Sequence, residues 1–169
     1  MCFSLAATLL KKWVRELREP LLPGHLYTQA VHLVDAMRGC NDTSVSHDCI
    51  NDLIRRIEDH TSRLTLLYLI RFLKSFTVSQ VVSVTKMNID NLATIFAPNI
   101  LRHPQPESQN PLEIPAHIEK GKEFVICLIK WLDTSEVESI PDWKIPSTCL
   151  KETIMKCVTT IQEAGKSKQ

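Results

Sequence analysis

The chain has 169 residues and sets 20 Lys plus Arg against 19 Asp plus Glu, a net charge of +1. That length suits a single domain able to bury about 68–70% of its unfolded surface. So balanced a charge excludes the one-signed field that nucleic acid or an anionic membrane would select, and with 6% aromatic residues there is no basic-aromatic interleaving for base stacking.

The N-terminal MCFSLAATLL has no basic n-region and merges into the first helix, so it reads as helix rather than signal peptide. That helix is expected over residues 5–17. At about 100° per position, Leu5, Ala6, Leu9, Leu10, Trp13 and Leu17 share one arc, expected to face the core. Lys11, Arg15 and Arg18 follow at i, i+4 and i+7 on the opposite side. By itself this ridge is either a solvated face paired with Glu16 and Glu19 or a cationic contact surface. Pro20 and Pro23 then stop the helix and turn the chain.

A second helix is expected over 26–37 with Tyr27, Ala30, Val31 and Val34 inward, followed by a loop through Gly39, Asn41 and Asp42. Ser46 is a candidate cap for a third helix whose Ile50, Leu53, Ile54 and Ile57 recur at i, i+3, i+4 and i+7. Thr61 or Ser62 opens a buried helix running to Phe76. Its apolar stretch, interrupted by Arg71 and Lys74, is too short to span a bilayer. A short helix follows over 79–84.

The segment KMNIDNLATIFAPNIL, residues 86–101, comes next. Met87, Leu92, Ile95 and Phe96 form its buried stripe, Asn88, Asp90 and Asn91 make its first turns polar, and Pro98 is expected to end it. Burying an unpaired amide costs about 1–3 kcal/mol, so Asn91 beside Leu92 and Ala93 needs a cap, a satisfied core site or a functional role. A polar loop with Pro104, Pro106 and Pro111 leads into a helix over 116–132, with Ile118, Val125, Leu128, Ile129 and Leu132 inward. No alternating apolar–polar run with hairpin turns appears, so no strands are expected. Residues 136–146 read as a linker. Beyond it Leu150, Ile154, Cys157, Val158 and Ile161 share one face of a helix over 148–162, to dock on the domain or bind a partner. The last residues, GKSKQ, are expected to fray.

Several chemistries lack their residues. The four glycines (Gly24, Gly39, Gly121, Gly165) form no phosphate-cradling loop, so a bound nucleotide would have to come with a partner. No H-E-x-x-H or Cys/His ligand spacing occurs, so neither a metal nor any other cofactor is expected. His47, Asp48, Ser44 and Ser46 have hydrolase residue types, but sequence neighbours make no triad without spatial convergence. The six cysteines (Cys2, Cys40, Cys49, Cys127, Cys149, Cys157) contain no C-x-x-C pair, which fits reduced, buried thiols in the cytoplasm.

LLKKWVRELREPLLP and KMNIDNLATIFAPNIL together resemble the RhoGAP domain, the all-helical module that accelerates GTP hydrolysis by Rho-family small GTPases. The first segment shares Leu10, Lys11, Arg15, Glu16, Leu17, Glu19, Pro20 and Leu21 with the family pattern. The second shares Lys86, Met87, Asn91, Leu92, Ala93, Phe96, Pro98, Asn99 and Leu101. Departures are Arg18 for a proline, Ala97 for a glycine and Thr85 for a frequent asparagine. LTLLYLIRFLKSF and FVICLIKWLDTS look closest to the Vilse-type RhoGAP proteins, which carry a myosin-tail-homology domain ahead of the GAP domain.

The resemblance implies an all-α, RhoGAP-like helical bundle over 1–135 that lacks the family's first helices and arginine-finger loop, followed by a linker and amphipathic tail over 136–169. It implies a Rho-family GTPase in its GTP-bound form as partner, with no nucleic acid and no membrane insertion. Residues matching Lys11, Arg15 and Asn91 sit at the GTPase interface in the family, Pro98 and Asn99 shape the neighbouring loop, and Arg18 falls on the same ridge. The chain would be a GTPase activator rather than an enzyme in its own right. Only ten residues precede Lys11 and none is arginine, so weak or no stimulation is expected, with an exposed apolar patch and marginal stability. The alternatives are a non-catalytic GTPase-binding or scaffolding module, or a helical interaction domain with no GTPase partner.

Overall fold

The apolar period near 3.6 becomes helix throughout the computed structural model, which describes residues 2–38, 43–105 and 110–137. In chain order the helices are α1 (Cys2–Glu16), α2 (Tyr27–Arg38), α3 (Thr43–Arg55), α4 (His60–Phe76), α5 (Ser79–Thr85), α6 (Ile89–Ile100) and α7 (Ile114–Trp131), with 3₁₀ turns at Gly24–Leu26 and Ser135–Val137. Among the described residues there is no strand. The expected tail helix, the loop at Gly39, Asn41 and Asp42, and Pro106 lie outside the described residues.

α7 organises the bundle, packing against α2, α3, α4 and α6, while α1 packs on α6. Phe124, Val125 and Leu128 of α7 are fully buried. Leu66, Leu67, Leu69, Ile70 and Leu73 bury the inner face of α4. No single described helix is long and apolar enough to cross a membrane.

Polar side chains secure the end of α7. Asn51 is buried; its amide donates to the His47 carbonyl at 2.6 Å and the Trp131 carbonyl at 3.3 Å, and accepts from the Asp133 N–H at 2.9 Å. Lys74 Nζ donates to the Leu132 carbonyl, one of the acceptors a helix C-terminus leaves unpaired. Burial holds the Lys74 ammonium below its ordinary pKa. Packing continues past Ser135, since Val137 is buried and Glu136 pairs with Arg63 at 2.9 Å.

Four local expectations change. On α1 the core stripe is Leu10 and Val14, continued by Leu17 just past its end, whereas Leu9 and Trp13 are 56% and 52% exposed. Two overlapping apolar arcs were open to this helix, and contact with α6 selects the one centred on Val14. Ile118 is exposed and lines an open groove, while Phe124 takes the core position. Ser46 does not stand at the start of a helix: α3 begins at Thr43 and Ser46 is buried within it. The cap of α4 is Asp59, which accepts from the Ser62 N–H at 2.7 Å.

The described cysteines differ in chemistry. Cys127 is buried, and burial pushes its thiol up to about 11, while Cys49 is exposed. Thiolate is the reactive form. Iodoacetamide at pH 8 should therefore label Cys49 in the native chain and spare Cys127 until denaturant is added. Equal labelling, read by peptide mass, would contradict the buried placement.

Candidate functional site

The site is built where the C-terminal ends of α1 and α6 meet. The spacing that buries Leu10, Val14 and Leu17 turns Lys11 and Arg15 away from the core. Lys11 is half-buried, Arg15 is exposed, and they lie one turn apart. Arg15 Nε donates to Asn99 Oδ1 at 3.3 Å, joining residues 84 apart in sequence. Asn99 is fully buried and donates from Nδ2 to the Ile95 carbonyl at 2.8 Å. Both polar ends of its side chain are thus paired, which a buried amide requires.

Arg102, which pattern reading passed over, supports this pair. Its Nη1 donates to the Arg15 carbonyl at 3.0 Å and its Nη2 to the Leu17 carbonyl at 2.9 Å. A guanidinium at a helix C-terminus satisfies orphan carbonyls and complements the negative end of the helix dipole. Arg102 Nε is buried with no hydrogen-bond partner among the described residues. A cation placed just after a helix that must cross the end of another was the available signal.

Two candidate residues sit differently from expectation. Arg18 is not on the helical ridge: α1 ends at Glu16, and Arg18 is exposed in the bend that leads to Pro20. Pro98 does not end α6 but lies inside its last turns. A proline removes one helical hydrogen bond and can cost about 3 kcal/mol inside a helix. Here Thr94, whose carbonyl loses that bond, is exposed, while Ala97, Asn99 and Ile100 around the proline are buried and hold the helix in place.

Of the alternatives open to Asn91, the core site is not the one it takes: it is exposed, and the buried amide of this helix is Asn99. Asn88 caps α6, accepting from the Asn91 N–H at 2.8 Å, and Asn91 Nδ2 donates to the Lys86 carbonyl at 3.1 Å. Lys86 is left-handed, with φ 57°, and closes α5. Asn91 therefore braces the α5–α6 joint while facing solvent. Asn91→Ala should cost only about 0.5–1 kcal/mol of stability, the worth of one exposed hydrogen bond. Thermal unfolding checks this; a loss above about 3 kcal/mol would mark a core residue.

Pro98 also borders a groove of about 970 Å³ lined by Pro20, Tyr27, Pro104, His117 and Ile118. Tyr27 and His117 hydrogen-bond across it, Oη to Nδ1, at 2.8 Å, and the His103 ring stands edge-on to Tyr27 at 5.0 Å. Burial raises the Tyr27 pKa, so the phenol keeps its proton. No group of three or more His, Cys, Asp or Glu among the described residues is placed to hold a metal ion. The α1–α6 seam thus places two cations, Lys11 and Arg15, one turn apart beside the buried, fully paired amide of Asn99.

Residues 2–105 match the RhoGAP domain family. The chain is 31% identical over 118 residues to the active breakpoint cluster region-related protein of Xenopus tropicalis, covering 70% of this chain and 13% of that protein. It is 34% identical over 139 residues to GTPase activating protein homolog 2 of Dictyostelium discoideum, covering 80% of this chain and 14% of that protein. In fold it is similar to human Rho GTPase activating protein 15, with TM-score 0.59 and 22% identity over 71% of this chain and 52% of that one. It is also similar to the BH domain from GRAF, the GTPase regulator associated with focal adhesion kinase, with TM-score 0.62 and 18% identity over 83% of this chain and 71% of that one. A helical bundle carrying both motifs at one seam is a GAP-type fold. The chain belongs to the RhoGAP domain family. These matches carry that assignment and not the narrower Vilse-type one. The chain spans only about an eighth of the length of the curated relatives quoted.

Proposed function

We propose that this chain is a GTPase-activating domain for Rho-family small GTPases such as Rac, Cdc42 or Rho, that it binds the GTP-bound form, and that it works in the cytoplasm. The observation that carries the reading is the Arg15–Asn99 contact, which brings the two family motifs together at one seam. Lys11 and Arg15 meet acidic or carbonyl groups of the switch regions. Asn91, two turns before Asn99 on α6, exchanges hydrogen bonds from the same side, and Pro98 and Asn99 shape the end of that helix. Arg18 extends the cationic surface from a bend. The residues described here orient a complex; they activate hydrolysis only weakly by themselves, because Lys11 and Arg15 are on a helix held by the core. That geometry is equally what a non-catalytic GTPase-binding module needs, and binding without stimulation is the second reading.

Charge reversal tests the interface. Lys11→Glu and Arg15→Glu should each weaken binding to a GTP-loaded Rho-family GTPase by about tenfold, roughly 1.4 kcal/mol, and flatten its salt dependence. Calorimetry at two salt concentrations reads both effects. If neither reversal changes affinity while both variants stay folded, the site assignment is wrong.

A further inference from the structure

We infer that His103 is a positioning residue for the proposed GTPase interface: it holds the end of α1 through Arg102 only while its ring is uncharged. The choice of partner rests on the GTPase reading, whereas the coupling from His103 to α1 belongs to this chain alone. His103 directly follows Arg102, whose guanidinium grips the Arg15 and Leu17 carbonyls. Its ring is pinned from two sides, with the Tyr27 ring of α2 edge-on at 5.0 Å and the His117 ring of α7 edge-on at 5.4 Å. One residue on, Pro104 lies against the turn before α2, where a Cβ added to Gly24 would stand 3.3 Å from its own Cβ. Residues 102–104 thereby tie the end of α6 to α1, α2 and α7.

Hydrogen bonding fixes the state of the His103 ring. The Gln105 N–H donates to its Nδ1 at 3.1 Å, so Nδ1 carries no proton and the ring is the neutral Nε2–H tautomer. A proton on Nδ1 would set two donors against each other and expel Gln105. His117 differs. Its Nδ1 pairs with Tyr27 Oη at 2.8 Å, and a hydroxyl both donates and accepts, so that bond survives when the ring gains a proton. Burial raises the Tyr27 pKa, so the phenol does not titrate with the rings. Charge on both imidazoles would set like charges 5.4 Å apart, with Arg102 next in the chain. The other charged groups at the groove are Glu19 from the bend after α1, and Glu119 and Lys122 of α7, which pair at 3.5 Å. Glu113 approaches His117 Nε2 at 4.0 Å. All three carboxylates are exposed, where pairing gains little, and a carboxylate beside the ring does not replace the acceptor that Gln105 loses. Protonating His103 thus frees the loop at Gln105 and loosens Arg102, on which the end of α1 depends. Histidine is the side chain whose charge changes between pH 5 and 8.

His103→Asn separates the two roles of the ring, since an asparagine Oδ1 accepts from the N–H two residues on, as Nδ1 does here, and takes up no proton. In nitrogen–proton correlation spectra of the 169-residue chain taken from pH 7.5 to 5.5, the amides of Glu16, Leu17 and Gln105 should shift on one curve. That curve should match the His103 ring, and the same amides should stay still in His103→Asn. Calorimetry with a Rho-family GTPase carrying a non-hydrolysable GTP analogue reads the consequence. Across that range, binding should weaken about fivefold more in the unsubstituted chain than in His103→Asn. Amides at Glu16 and Leu17 that ignore the His103 curve, or that titrate unchanged in His103→Asn, overturn the proposal. So does an Nδ1–H tautomer of His103 at pH 7.5, or equal pH dependence of binding in the two chains. No binding by either chain at pH 7.5 instead defeats the GTPase reading, and the amide titration then decides the coupling by itself.

Discussion

In single-turnover assays with GTP-loaded Rac, Cdc42 or Rho, these 169 residues should raise the hydrolysis rate only slightly. The same domain preceded by a family-type segment with an arginine on an extended loop should raise it by a further 10³ to 10⁵, roughly 4–7 kcal/mol of transition-state stabilisation. Charge develops on the transferred phosphoryl group, and a cation must reach it inside the nucleotide pocket. Lys11 and Arg15 belong to a helix whose other side is committed to the core through Val14, and Arg102 grips the backbone at its end. They cannot advance without unpacking α1. Arg18 differs, because it lies exposed in the bend beyond Glu16, outside the helix. Strong stimulation by the 169 residues alone, lost in Arg18→Ala, would transfer the role to Arg18. Alanine in place of the added loop arginine should return the extended protein to the weak level.

Arg102→Ala should be the most damaging single change at the seam, lowering stability by about 2–3 kcal/mol. It removes two hydrogen bonds from a charged donor, the part-buried one to Leu17 worth roughly 1.5–3 kcal/mol and the exposed one to Arg15 less, and it strips the carbonyls at the end of α1 and just beyond of their partner. In a domain of this size the melting temperature should fall by about 4–12 °C. Arg102→Lys should recover little, since one ammonium on a flexible stem does not bridge two carbonyls as a planar fork does. GTPase binding should weaken as well, because the turn that carries Arg15 loses its anchor. Arg102→Ala melting like the unsubstituted chain would show that water replaces the clamp at no cost, and that Arg15 is placed by packing alone.

Much of the fold was legible because helix period and core stripe are local properties. Ile50, Leu53, Ile54 and Ile57 recur at helical spacing and all four are buried. Leu92 and Phe96 likewise mark the inner face of α6. The two motifs that place the chain in the RhoGAP family are runs of neighbouring residues, readable without coordinates.

What failed was any question with more than one local answer. α1 offers an arc through Leu9 and Trp13 and another through Leu10 and Val14; both have the period of a helix, and only the position of α6 selects the second. Pro98 reads as a stop because the backbone rule is local. The helix runs on to Ile100 because Asn99 and Ile100 are buried once the chain is packed.

The same division holds at the candidate site. Residue types and spacing in the sequence sufficed for an all-helical chain, two family motifs and a cationic face at Lys11 and Arg15. Tertiary structure alone decided that Asn99 rather than Asn91 is the buried amide, that Arg18 leaves the ridge, and that Arg102 closes the end of α1. Those outcomes depend on contacts between residues more than 80 positions apart, such as Arg15 with Asn99, and no local pattern encodes the register at which two helices meet.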